Sequence, residues 1–96
     1  MSKYFFRDSG FEAEALCANI DGSGVILTLT DPSKSIYILG VSCHENITLK
    51  RDSNDGDVIL SVGAGNYDLP ATVKVGNGFN LYVSGSGKVS VIYHIN

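Results

Sequence analysis

After Ile20, apolar and polar positions alternate with period two along almost the whole chain, and clusters of Gly, Asn, Asp and Ser interrupt the alternation at short intervals. A period of two sends successive side chains to opposite faces of a strand, so the pattern predicts a sandwich or barrel of short β-strands. One stretch, GFEAEALCANI over residues 10–20, has helix-forming composition. Its alternation of Glu12 and Glu14 with Ala13 and Ala15 fits a strand equally, and a strand is the reading adopted. Further strands are expected over residues 25–30, 35–43, 47–51, 58–62, 72–75, 79–84 and 88–95, about eight in all.

The interruptions predict the connections. Asp31-Pro32-Ser33-Lys34 reads as a hairpin or as a corner where the chain crosses between sheets, because Pro presets φ for the second turn position and Asp31 accepts a local backbone hydrogen bond. DSNDG, residues 52–56, closes a hairpin, with Asp55-Gly56 supplying positive φ. VGAGNYDLP, residues 62–70, bends the chain, and Pro70 ends pairing. Gly76-Asn77-Gly78 and Gly85-Ser86-Gly87 fold the last three strands into a meander whose inward face is Val73, Val75, Phe79, Leu81, Val83, Val89, Val91, Tyr93 and Ile95.

Subtracting that inward set leaves an outward face that should be polar in a solitary sandwich. By parity it contains Ile26, Ile36, Ile38, Ile59, Tyr82 and Ile92. Apolar area of this kind favours association, at about 25 cal/mol for each Å2 covered. The segment MSKYFF supplies Tyr4, Phe5 and Phe6 for the same purpose, as an N-terminal arm over residues 1–12 ahead of a sandwich domain over residues 13–96. These nine residues form the expected protein interface, and a homo-oligomer is the expected state. The competing reading is that bulges shift the parity of one or two strands and return these outward residues to the core, or that the N-terminal segment lies over them.

Composition narrows the chemistry. With 96 residues the chain makes one domain with one core, and 44% hydrophobic against 18% charged residues is a folding composition. A net charge of −3, with only Lys50 and Arg51 adjacent among the cations, argues against nucleic acid as a partner. No stretch reaches the ~18 apolar residues of a membrane helix, and MSKYFFRDSG lacks the apolar centre of a signal peptide, so synthesis in the cytoplasm is expected and the sequon at Asn46 is read as coincidence. Cys17 and Cys43 are expected as buried free thiols.

Candidate sites for chemistry are few. His44 and His94 would need a nucleophile brought to them by the fold, and no catalytic residue is assigned. DSNDGD, residues 52–57, has the oxygen density calcium prefers, yet its glycine is one place early for an EF-hand loop and Gly63 stands where the bidentate Glu belongs. It reads as a solvated turn. Neither a metal site nor a cofactor is expected. Tyr37, Tyr67 and Tyr82 are the aromatic platforms a sugar could use.

The order of these pieces, a strand before TDPSKSIYILGV, the paired NITLKRD and DVILSV, the turn through YDLPATVKVGNGFNLYVSG and the last strand KVSVIYHI, resembles small jelly-roll structural proteins of tailed bacteriophages: decoration, cement and head-to-tail accessory subunits. The resemblance implies a jelly-roll-like antiparallel β-sandwich that trimerises or sits at symmetry junctions of a capsid, clamping major capsid protein or other virion subunits together. Its location would be the virion, assembled in the host cytoplasm, and it would be no enzyme. A receptor- or carbohydrate-binding module of a phage tail or fibre is the alternative of the same architecture.

Overall fold

The structure, a computed structural model, describes residues 15–96 and the backbone of two short segments, β1 (Phe5–Phe6) and β2 (Ala13–Glu14), which pair antiparallel with each other. Tyr4 and the side chains of Phe5 and Phe6 lie outside the described residues. Eight strands follow: β3 (Leu16–Asp21), β4 (Gly24–Leu27), β5 (Ile36–Cys43), β6 (Ile47–Arg51), β7 (Val58–Val62), β8 (Gly65–Lys74), β9 (Leu81–Gly85) and β10 (Lys88–Ile95). Within the stretch of helical composition, the part from Leu16 onward is strand β3, which finds a hydrogen-bonding partner in β10 over its whole length.

The eight strands form two antiparallel four-stranded sheets, the first in the order β3-β10-β5-β8 and the second β4-β9-β6-β7. The pairings are nested: β6 with β7, β5 with β8, β4 with β9 and β3 with β10. The chain is thus one long antiparallel hairpin, closed at β6–β7 and wound so that alternate legs enter alternate sheets. That is a jelly roll. Connections travel in pairs for the same reason. Gly78 N–H donates to Lys34 C=O (3.0 Å) and Leu29 N–H to the Asn80 side chain (2.8 Å) where the β4–β5 and β8–β9 connections run together.

This winding corrects two expectations. The last three strands make no meander: β8 and β10 belong to the first sheet and β9 to the second, so both glycine turns carry the chain across the sandwich. Alternate residues face one core in either arrangement, so periodicity cannot separate them. Pairing also resumes after Pro70. β8 is an edge strand, where a missing N–H is tolerated, and it bulges between Asp68 and Val73 before rejoining β5.

The core is built by Ile36, Ile38, Val41, Cys43, Ile47, Leu49, Val75, Leu81, Val83, Val89 and Val91, all fully buried or nearly so. Val73 and Tyr93 are partly buried against it. Phe79 and Ile95, expected inside, are 40% and 39% exposed. Phe79 precedes β9 and lies under the Arg51 guanidinium, 5.7 Å from the ring centroid, and Ile95 is the last residue of β10.

Four of the six outward assignments fail, and three bulges are the cause. Between β4 and β9, Val25 faces Tyr82 and Leu27 faces Leu81, leaving Ile26 as the extra residue. In β7, Lys50 faces Val58 and Leu49 faces Leu60, leaving Ile59. In β5, Ile38 faces Tyr93 and Gly40 faces Ile92, leaving Leu39. A bulge reverses parity beyond it. Ile36 and Ile38 therefore point into the core with Val41 and Cys43 and are 0% exposed. Ile26 and Ile59, at the bulges themselves, pack against the core beside Leu27 and Leu60. Tyr82 and Ile92 stay half-buried on the outer faces.

Candidate functional site

The bulges that draw isoleucines inward push their neighbours out. On the second sheet, the outer face carries the row Val25, Tyr82, Lys50, Val58, one residue from each of its four strands in register. Val25 is 44% and Val58 60% exposed, while Tyr82 and Lys50 lie half-buried between them. The Lys50 ammonium reaches sideways to Asn54 C=O (2.9 Å), so its alkyl stem lies along the row and its charge is at the β6–β7 turn. The next outward row holds Thr48, Ser61 and Ser84, with Thr48 and Ser61 hydroxyls 3.3 Å apart. An apolar stripe across a whole sheet beside a hydroxyl row is surface suited to contact with another macromolecule. Val25 and Val58 were missed in the sequence. The signal is there: VIL occurs twice, at 25–27 and 58–60, and in both triplets the middle residue is the bulge and the first faces out, whereas VIY at 91–93 continues its pairing with β3 unbroken.

The first sheet presents a different outer face. Asn19, Ser90, Ser42 and Asn66 stand in one row across four strands, and each serine hydroxyl donates to its asparagine side-chain carbonyl, Ser90 to Asn19 and Ser42 to Asn66. The adjacent row is Cys17, Ile92, Gly40 and Asp68. A cleft of about 300 Å3 lies across these two rows, between Asn66 and Asp68 on β8 and Ser90 and Ile92 on β10. Further along the sheet His94 stacks on Tyr37, centroids 5.1 Å apart with planes 17° off parallel, and the Lys74 ammonium is 5.9 Å from the Tyr37 centroid.

Burial against this stack pushes the His94 pKa below its ordinary 6.5. The folded chain therefore holds the neutral ring, and the unfolded chain takes up the proton first as pH falls. The stability this gives is complete above 6.5 and declines through the window between 6.5 and the lower folded value. Melting temperatures measured from about pH 8 to about pH 5 should fall less steeply in His94→Gln than in the natural chain. Identical slopes would show that His94 is not the group responsible.

The remaining candidates are placed as follows. Cys43 is buried, its thiol donating to Gly63 C=O (3.2 Å), but Cys17 is exposed, contrary to expectation, because it faces outward opposite Ile92 on an edge strand. The two thiols project from opposite faces of the first sheet and both are free. His44 is exposed. In the 52–57 turn two of the three carboxylates are engaged: Asp52 accepts from Asn80 N–H (3.1 Å) and Asp57 pairs with Arg51 (3.4 Å). Among the described residues no three His, Cys, Asp or Glu side chains converge as a metal site would need.

Strand order and surfaces together define a jelly-roll β-sandwich with one apolar and one polar outer face. Compared with protein families, curated proteins and solved structures, the chain matches none of them.

Proposed function

We propose that the protein is a non-enzymatic structural subunit of a virion, a decoration or cement component that stabilises a phage head by binding between shell subunits. The supporting observation is the in-register row Val25, Tyr82, Lys50, Val58 on the outer face of a complete jelly roll. The core is filled without these side chains, and among the described residues nothing covers Val25 and Val58, so their apolar area is left for a neighbour. Architecture alone does not assign function, since jelly rolls serve in shells and in lectins alike. The row is what favours assembly. Copies of a small domain repeated over a symmetric shell gain avidity from weak individual contacts, and each bound copy stabilises the assembled state by mass action.

Sedimentation velocity over a concentration series, with and without empty shells, tests the reading. A discrete homo-oligomer or a shell-bound fraction is expected, and Val58→Glu should weaken it by about tenfold or more, because a carboxylate would be desolvated at the contact, while the melting temperature of the free domain stays put. A domain that remains monomeric throughout and unbound, or that associates equally well as Val58→Glu, would overturn the proposal.

A further inference from the structure

The cleft on the first sheet is chemically unlike the apolar row on the second, and the assembly reading makes no use of it. Its floor is β5 at Val41 and Ser42, one wall is Asn66 and Asp68 on β8, and the other is Ser90 and Ile92 on β10. The backbones of the wall strands stand two strand spacings apart, roughly 9.6 Å. The volume lies at the lower end of the range for small-molecule sites.

Gly40 leaves the row between Asp68 and Ile92 without a side chain. A Cβ on Gly40 would sit 2.9 Å from Tyr67 C=O, 3.6 Å from the nearer Asp68 carboxylate oxygen and 3.7 Å from Ile92 Cγ1. Carboxylate and isoleucine therefore flank the same point from opposite sides. The polar groups around it have defined hydrogen-bonding sense. Asn66 and Asn19 take a serine hydroxyl on Oδ1, which turns each Nδ2 outward as a donor. The Asp68 carboxylate accepts only, and the serine oxygens keep acceptor capacity. An acceptor at Asp68 and a donor at Asn66, two residues apart on one face of one strand, match a pair of adjacent hydroxyls, each of which can donate to one and accept from the other. Ile92 opposite offers an apolar surface for the C–H face of a ring.

The geometry points to a binding site for a neutral pyranose in the cleft over β5. Asp68 and Asn66 grip vicinal hydroxyls, Ile92 packs on the ring face, and the Ser42 and Ser90 hydroxyls hold the two asparagines in donor orientation. The Asp68 charge excludes acidic sugars. The site is on the opposite sheet from the proposed assembly surface, so a subunit held through one face presents the other.

Amide chemical shifts in the natural chain, titrated with methyl glycosides of glucose, galactose, mannose and N-acetylglucosamine and with glucuronate, test this. At least one neutral glycoside should give saturable shifts at Gly40, Ser42, Asn66 and Asp68, with a dissociation constant on the order of millimolar for a single ring. Asp68→Ala, an exposed position, should weaken binding by about tenfold or more, since a charge-assisted hydrogen bond is lost. Val58→Glu should leave it unchanged, which separates this site from the assembly surface. No saturable shift at these amides with any neutral glycoside, equal binding of glucuronate, or unaltered affinity in Asp68→Ala would overturn the assignment.

Discussion

Ile38→Ala should destabilise the domain by about 2–5 kcal/mol and lower its melting temperature by on the order of 10 °C or more. Ile38 is 0% exposed, faces Tyr93 across β10 and Val73 across β8, and belongs to the cluster with Ile36, Leu49 and Leu81. Truncation leaves a cavity in a sandwich only two sheets thick, with little freedom to collapse. Ile92→Ala, on the outer face of the same sheet, should cost well under half as much. The pair measures the bulge at Leu39 directly, because strict alternation in β5 would make Ile38 the surface residue and its truncation nearly neutral. Thermal or denaturant unfolding of the two variants gives the answer. A melting temperature unmoved by Ile38→Ala would contradict the burial described above.

Gly56→Ala should cost on the order of 3 kcal/mol, for a reason the turn sequence does not announce. DSNDG invites the view that Gly56 is there for a positive φ, but within this turn the left-handed residue is Asp52, at 67°. Gly56 is needed for space: a Cβ there would lie 1.6 Å from Arg51 C=O, with Ser53 C=O 3.1 Å away. Backbone holds both obstacles in place, through Gly56 N–H to Ser53 C=O (2.9 Å) and Arg51 N–H to Asp57 C=O (3.0 Å). The two explanations part company over Gly56→Asn. Asparagine adopts left-handed backbone readily and would rescue a φ requirement, yet it carries the same Cβ. Equal loss of stability in Gly56→Ala and Gly56→Asn is expected, and a near-natural Gly56→Asn would show that φ, not contact, is the constraint.

These cases show which features the sequence displays. Turn chemistry at Pro32, the β6–β7 hairpin and the eight-strand count are local properties, and alternation reports them faithfully. The class of fold follows. Which strands share a sheet is non-local, and a meander and a winding through two sheets use the same inward residues at Val83, Val89 and Val91. Parity is lost at one extra residue. Ile26, Leu39 and Ile59 are ordinary strand formers, so nothing in their identity marks them, and only the unbroken apolar triplets around Ile26 and Ile59 record the slip. The apolar row depends on those slips, which is why Tyr82 is readable from alternation while Val25 and Val58 are not. The cleft over β5 is harder still, since it joins residues of three strands that become neighbours only after winding.

The nested pairing also bears on how such a chain reaches its native form. β6 and β7 are separated by the six residues between Arg51 and Val58, whereas Asp21 must meet Lys88. Closing a loop costs entropy that rises with the logarithm of its length, and every inner pair that zips shortens the loop left for the next. The least costly route therefore starts at the β6–β7 turn and winds outward, β3 docking on β10 last. Dominated by such distant partners, the domain belongs among slow folders, in milliseconds to seconds, and Gly56 stands at the point where the winding begins.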